Sequence, residues 1–179
     1  MSDLGITFRV LASALPQPRP KARRIGKGIQ IYTPNSVKIK EYKDAIRAAF
    51  SLALDSHEDK EALLVAFQSW PVQSTIACVF KDPSPTRASY DAIEGKGLSR
   101  YHQVFHTKKP DVDNLEKGVL DALKGLAWKD DSYVVCSCTH KAYTPFSLGG
   151  ASGRKVISGE SYLEVYLFYS NPDEIQDEG

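Results

Sequence analysis

Two periods of hydrophobicity run along the chain and divide it into elements. Residues 6–11 alternate between apolar and polar, as does the run VQSTIACVFK at 72–81, and both predict half-buried strands. Residues 133–141 and 161–169 follow the same rule, the last with Tyr162, Leu163, Val165, Leu167 and Phe168 at its apolar positions. Between 36 and 54 the period lengthens. Ile39, Tyr42, Ile46, Ala49, Phe50 and Ala53 mark one stripe of a helix that Asn35 or Ser36 would cap. Leu115, Val119, Ala122 and Leu123 mark a second helix over 113–124, with Gly125 as its natural stop. A weaker helical stretch is expected within 55–69, ended by Pro71. Helices and strands intermix without strict alternation, so the expected class is α+β, a small mixed or antiparallel sheet packed with two main helices.

The intervening segments differ in character. LPQPRPKARRIGKG carries Pro16, Pro18 and Pro20, which forbid a helix and favour an extended backbone. It reads as a basic loop that turns through its glycines into a short strand at 29–32, the alternative being a plain linker. Residues 82–109 are long, polar and glycine-containing, and read as an inserted loop or hairpin. Residues 146–159 read as a glycine- and serine-rich turn region, and the acidic end from 171 as a frayed tail. A single domain over 1–170 with a tail at 171–179 is therefore expected, which suits a chain of 179 residues.

Composition narrows the classes. Hydrophobic residues at 42% and charged ones at 25% make an ordinary globular balance. No apolar run reaches the roughly 18 residues of a membrane span, and the start lacks the pattern of a signal peptide. Three cysteines are too few and odd in number for a disulfide framework, which fits a reducing, cytoplasmic setting. Cys136 and Cys138 sit two apart in an apolar run, so buried thiols on one strand face are expected rather than a zinc site. The histidines, His57, His102, His106 and His140, are scattered and receive no role.

Net charge is only +1, but its distribution is uneven. Residues 1–54 hold ten Lys or Arg against three Asp or Glu, whereas the last ten residues hold four acids and no base. A basic arm on a near-neutral body suits a polyanionic partner, and suits a solvated surface equally well. Its candidates for phosphate contact are Arg19, Lys21, Arg23 and Arg24, with Lys40 and Arg47 in a basic stripe beside the first helix, and Lys108 and Lys109 further on.

The chemistry concentrates in KKPDVDNLEKGVLDALKGLAWKDDSYVV, residues 108–135. Asp111 and Asp113 stand at the mouth of a helix, and Asp130 and Asp131 follow it just before a strand. A helix packed against its following strand would bring the two acidic pairs together as a hard-oxygen site suited to Mg²⁺. Each residue alone has an ordinary explanation. Asp113 with Glu116 matches a capping box, Asp111 suits the positive end of the helix dipole, and Asp130 and Asp131 suit a solvated turn. A cap needs one acid, however, and this helix start has two, with another pair beyond the helix. Lys117 lies one turn after Asp113, about 6 Å along the axis, on the same side as Asp113 and Asp121. It fits a ladder of ion pairs, or an ammonium beside a scissile phosphate.

These residues resemble the core motif of the RusA family of Holliday junction resolvases, with its PDxDN-x-x-K-x-x-x-DAL pattern, a following aromatic residue and a paired Asp. The likeness is close over 109–135 and weaker over PQPRPKARR and the YTP that follows it. It implies that Asp111, Asp113 and Asp131 are metal-binding carboxylates and that Lys117 is a catalytic lysine. It further implies an Mg²⁺ cofactor, with Mn²⁺ able to substitute, and a homodimer that resolves four-way DNA by symmetric paired nicks in recombination and repair. The rival readings are a DNA-binding dimer that does not cleave, a branched-DNA nuclease of broader selectivity, and a phosphatase or sugar transferase built on the Asp-x-Asp pair. The last usually follows an apolar strand, whereas Lys108, Lys109 and Pro110 precede the pair here.

Overall fold

The computed structural model describes residues 4–81, 106–143 and 160–171. Most of the expected insertion at 82–109 (all but 106–109), the turn region at 146–159, His102 and all but the first residue of the acidic tail at 171–179 lie outside these residues. The alternating run near the start forms β1 (Leu4–Val10), whose Leu4, Ile6, Phe8 and Val10 are buried on one face. Next come a basic hairpin, β2 (Lys21–Ile25) and β3 (Gly28–Tyr32), and the helices α1 (Ser36–Asp55) and α2 (Lys60–Ser69). They are followed by β4 (Val72–Phe80), α3 (Val112–Leu123), β5 (Val134–Tyr143) and β6 (Tyr162–Tyr169). The expected α+β class is what forms, with the stretch at 55–69 supplying a third helix.

β1, β6, β4 and β5 make one four-stranded sheet in that order. β6 runs antiparallel to both β1 and β4, while β4 and β5 are parallel. Parallel neighbours need a long crossover, and here the crossover contains α3. Sequence position alone therefore carries α3 across the sheet and delivers the chain at the start of β5.

Helices and sheet meet in one core. Phe8 of β1 packs edge-on to Phe50 of α1 at 5.8 Å, Phe50 meets Phe67 of α2 at 5.4 Å, and Phe67 meets Tyr169 of β6 at 5.0 Å. This run of rings joins both outer helices to the sheet, and such pairs add to the area they bury. Tyr42, Ile46 and Phe50 are the buried positions of α1, as its period predicts. Asn35 stands at the N-cap in the left-handed region (φ 56°) without a side-chain capping bond, a conformation asparagine tolerates. On the other sheet face, Arg9 pairs with the buried Glu164 at 2.9 Å and lies over the Tyr162 ring.

The hairpin was only half expected. Its second strand matches the expected 29–32, whereas β2 forms from a run of charges that shows no hydrophobic period. Register pairs Lys21 with Tyr32 and Arg23 with Gln30, so backbone hydrogen bonds, not burial, define the ribbon. Every residue in it is exposed.

The cysteines require a correction. Cys136 and Cys138 do share one face of β5, but both are exposed. β5 is an edge strand, and its register with β4 sets Cys136 and Cys138 beside Gln73 and Thr75, on the face the helices do not cover. Cys78 faces the helices and is fully buried, which pushes its thiol up to about 12 despite the opposing charge of Lys141. Maleimide should accordingly label Cys136 and Cys138 in the native protein and Cys78 only after denaturation; mass spectrometry of the labelled peptides checks this, and native labelling of Cys78 would contradict the packing. Phe50→Ala removes the central ring of the aromatic run and should cost about 3–5 kcal/mol in a denaturant titration.

Candidate active site

Helix α3 has a sharply divided surface. Leu115, Gly118, Val119, Ala122 and Leu123 are buried, which leaves Asp113, Glu116, Lys117 and Asp121 on a facing polar strip, with Leu120 half-buried among them and packed on the core. The helix is held from three sides. Arg47 of α1 donates from Nε to the Ala122 carbonyl at 2.9 Å, and Lys43 pairs with Asp121 at 3.4 Å. Thr139 of β5 donates from its hydroxyl to Glu116 Oε2 at 3.2 Å. At the helix mouth, Lys141 Nζ donates to the carbonyls of Lys108 and Pro110, both at 2.6 Å. This ammonium pins the turn that leads into Asp111.

The third hold is backbone on backbone. The Gln17 N–H donates to the Asn114 carbonyl at 2.9 Å, so the proline-rich segment lies directly on α3. Gly118 permits that approach: a Cβ there would stand 3.0 Å from the Leu15 carbonyl oxygen. A glycine inside a strongly periodic helix is the sequence signal for such a contact.

Beyond α3 the chain reverses sharply. Gly125, at φ 78°, takes the left-handed position that ends many helices, and its N–H donates to the Trp128 carbonyl at 2.8 Å. Trp128 is buried, and Tyr169 donates to the neighbouring Ala127 carbonyl at 3.0 Å. Anchored in this way, the chain runs back along α3 and presents Asp131 opposite the polar strip. Asp130 caps the short helical turn Asp131–Tyr133 by accepting from the Ser132 N–H.

The result is a cleft of about 270 Å³ lined by Asp113, Glu116, Lys117, Leu120, Asp121 and Asp131. Asp113, Lys117 and Asp131, three of the four residues expected to carry chemistry, share it. Asp111 does not line it. It occupies the N-cap of α3, exposed and without a side-chain capping bond, and this leaves Asp113 inside the first turn rather than at the cap. Among the described residues no three of His, Cys, Asp and Glu stand close enough to hold a metal ion as the side chains lie. Lys124 stands among the acids of the cleft's far lip, its ammonium 3.0 Å from Asp130 and 3.2 Å from Asp131. Its hydrogen bonds, foremost among the causes, hold the Asp130 carboxyl below its ordinary range, and the two acids raise the lysine in return. The donor set nevertheless fits a hard divalent cation, since the titratable ligands around the cleft are all carboxylates and none is soft.

The remaining basic candidates are dispersed. Lys21, Arg23 and Arg24 lie exposed on β2, where Arg23 bonds Gln30 and stacks on Tyr32. Lys40, Lys108 and Lys109 are exposed, and Arg47 is tied to α3. Arg19 lines a second cleft, of about 400 Å³, between the proline-rich segment and α3. Gln17, Pro18, Pro20 and Thr33 belong to its outer wall, and Asp113, Asn114 and Lys117 to its helix wall. Sequence reasoning passed over Gln17, Thr33, Gly118 and Lys124, and left Glu116 as a cap partner. Only Glu116, one turn from Asp113, and Gly118 carried a usable signal.

The model of the endodeoxyribonuclease RusA family matches residues 12–146, most of the chain and the whole of both clefts. The chain belongs to the RusA family. A protein of Bacillus subtilis (strain 168) described as the uncharacterized protein YqaN is 33% identical over 140 residues, which is 78% of this chain and 88% of that one. The family is one of nucleases that act on branched DNA, so the two clefts beside α3 stand in a nuclease. No helix among the described residues is long and apolar enough to cross a membrane.

Gly118→Ala tests how α3 is held. A glycine-to-alanine change in a helix ordinarily gains about 1 kcal/mol. Here the new Cβ meets backbone at 3.0 Å, and overpacking of this kind costs about 1–3 kcal/mol. A net loss of stability in urea is expected; a gain would show that the segment does not rest on the helix.

Proposed function

We propose that the chain is a magnesium-dependent junction-resolving endodeoxyribonuclease, acting as a homodimer that nicks four-way DNA in symmetric pairs. The observation that carries this reading is the sharing of one cleft by Asp113, Lys117 and Asp131 in a chain of this family. Asp113 and Asp131 would hold the cation, joined by Asp111 once its side chain turns from the N-cap toward the cleft, with Mn²⁺ able to replace Mg²⁺. The bound cation would polarise the phosphodiester and lower the pKa of the attacking water.

The chain's own residues divide the remaining work. Lys117 faces the same space and supplies a fixed positive charge to the phosphate as negative charge grows on its oxygens. Asp131 is paired with Lys124, so binding a cation there exchanges one positive partner for another and avoids bringing bare carboxylates together. Thr139 fixes Glu116 through its hydroxyl and keeps the wall of the cleft in place. Arg19, Lys21, Arg23, Arg24, Lys40, Lys108 and Lys109 would hold DNA phosphates, so binding should weaken as salt rises. Arg47 has a structural bond to α3 and contributes less to DNA. Two nicks related by symmetry on a junction with its own two-fold axis call for two sites, which a dimer provides.

A synthetic four-way junction tests the reading. With Mg²⁺ the protein should nick it in pairs, and with EDTA it should bind without nicking. Asp113→Asn should lose cleavage by at least about a hundredfold while junction affinity stays within a few-fold, because the carboxylate serves the chemical step. Binding without cleavage in Mg²⁺ would leave a DNA-binding dimer. Equal cutting of forks and flaps would leave a nuclease of broader selectivity.

A further inference from the structure

Asp111 stands off the cleft wall, so whatever fixes its backbone decides how its carboxylate reaches a cation there. Both peptide planes beside its Cα are held. Its own carbonyl accepts the Leu115 N–H at 3.2 Å, in the first turn of α3. The carbonyl before it, that of Pro110, accepts from Lys141 Nζ at 2.6 Å, and the Lys108 carbonyl accepts from the same ammonium at 2.6 Å. With both planes fixed, Asp111 is fixed at φ −72° and ψ 148°, and its side chain keeps only its own torsions.

The sheet places the lysine for this task. In β5, Lys141 shares a face with Thr139, the residue that bonds Glu116 of α3, and its register partner in β4 is the buried Cys78. Its main chain grips the same segment as its side chain. The Lys141 carbonyl accepts the His106 N–H at 3.1 Å, and the His106 ring packs against Phe80 and Tyr143 at 4.3 and 4.8 Å. None of the ion pairs among the described residues uses Lys141. Its charge is spent on two backbone carbonyls, and hydrogen bonds from an ammonium are roughly twice as strong as neutral ones.

We propose that Lys141 is the positioning residue for Asp111, and that by fixing the backbone from which this carboxylate turns it sets the affinity of the cleft for its cation. The inference rests on the nuclease reading and deepens it by adding a residue that acts through a ligand. A carboxylate whose backbone is set in advance gives up only side-chain torsions when the ion arrives. One carried on a loose turn gives up backbone freedom as well, and binds more weakly.

The experiment measures Mn²⁺ binding to the full chain without DNA, from the loss of the free-ion EPR signal. Wild type, Lys141→Met, Asp111→Asn and the pair of both changes are compared, with Asp113→Asn alongside. Lys141→Met keeps the apolar stem and removes the donors. It should weaken Mn²⁺ binding roughly ten- to hundredfold, as loss of an outer support does in metal sites. Added to Asp111→Asn it should change the affinity by less than about twofold, because both changes act through one carboxylate. On a four-way junction, Lys141→Met should need about ten- to hundredfold more Mg²⁺ for half-maximal cutting and regain the wild-type rate at saturation. Loss of folded protein would instead lower the rate at every Mg²⁺ concentration. Should Lys141→Met fail to fold, Lys141→Gln, with a neutral amide in place of the ammonium, carries the same test. Unchanged Mn²⁺ affinity in the lysine variant, or losses that add in full in the pair, would overturn the positioning role and leave the nuclease reading intact. A wild type whose Mn²⁺ binding does not respond to Asp113→Asn would overturn the cation site, and the positioning role with it.

Discussion

The burial of one face of α3 against α1 and the sheet determines where every residue of the site can stand. Leu115, Val119, Ala122 and Leu123 are sealed in the core, so the opposite positions of the same helix must look outward in a row. Three independent ties keep that helix from rotating: the Arg47 bond to its last turn, the Thr139 bond to its middle and the Gln17 backbone bond to its start. Rotation by one residue, about 100°, would carry Asp113 and Lys117 out of both clefts. The precision of the site is thus inherited from the apolar core and does not depend on contacts among the acids.

The acids are arranged in the opposite manner, as a set that repels itself and is tolerated because cations are interleaved. Lys43 faces Asp121, Lys117 stands in the cleft with Asp113, and Lys124 bridges Asp130 and Asp131. Exposed pairs of this kind contribute little stability, typically under about 1 kcal/mol each. Their effect is to spread the negative charge along the wall of the cleft, with the Asp131 pairing at one end and Asp113 at the other.

The parts legible in the sequence were those governed by a strong period. α1, α3, β4 and β6 announced themselves through three- and four-residue or alternating spacing, and their bounds shifted by only one or two residues in the structure. β2 was illegible because its strand is specified by register with β3 and carries no apolar side to read. Cys136 and Cys138 show the limit of alternation: it assigns residues to a face but cannot tell which face the helices will cover. In the site, proximity along one helix was readable, so Asp113 and Lys117 fell where spacing put them. Asp131 depended on the reversal through Gly125 and the burial of Trp128, which the sequence marked only as a helix stop and an aromatic residue. Asp111 was expected in the same cluster, but its position at the cap keeps it off the cleft wall. The second cleft could not be foreseen, since Gln17 and Thr33 lie far from α3 in sequence and share a cleft with it only through the tertiary fold.

Lys124 separates folding from ion supply. In domains that gather bare ligands, withdrawing the ion leaves charges that unfold the chain. Here the acids of the lip are exposed and an ammonium from the same polypeptide already stands among them, so the core that holds α3 does not rest on a bound ion. On the proposed cation site, scarcity of the ion would then halt cutting while the core stays closed to proteases, and restoring it would need no refolding.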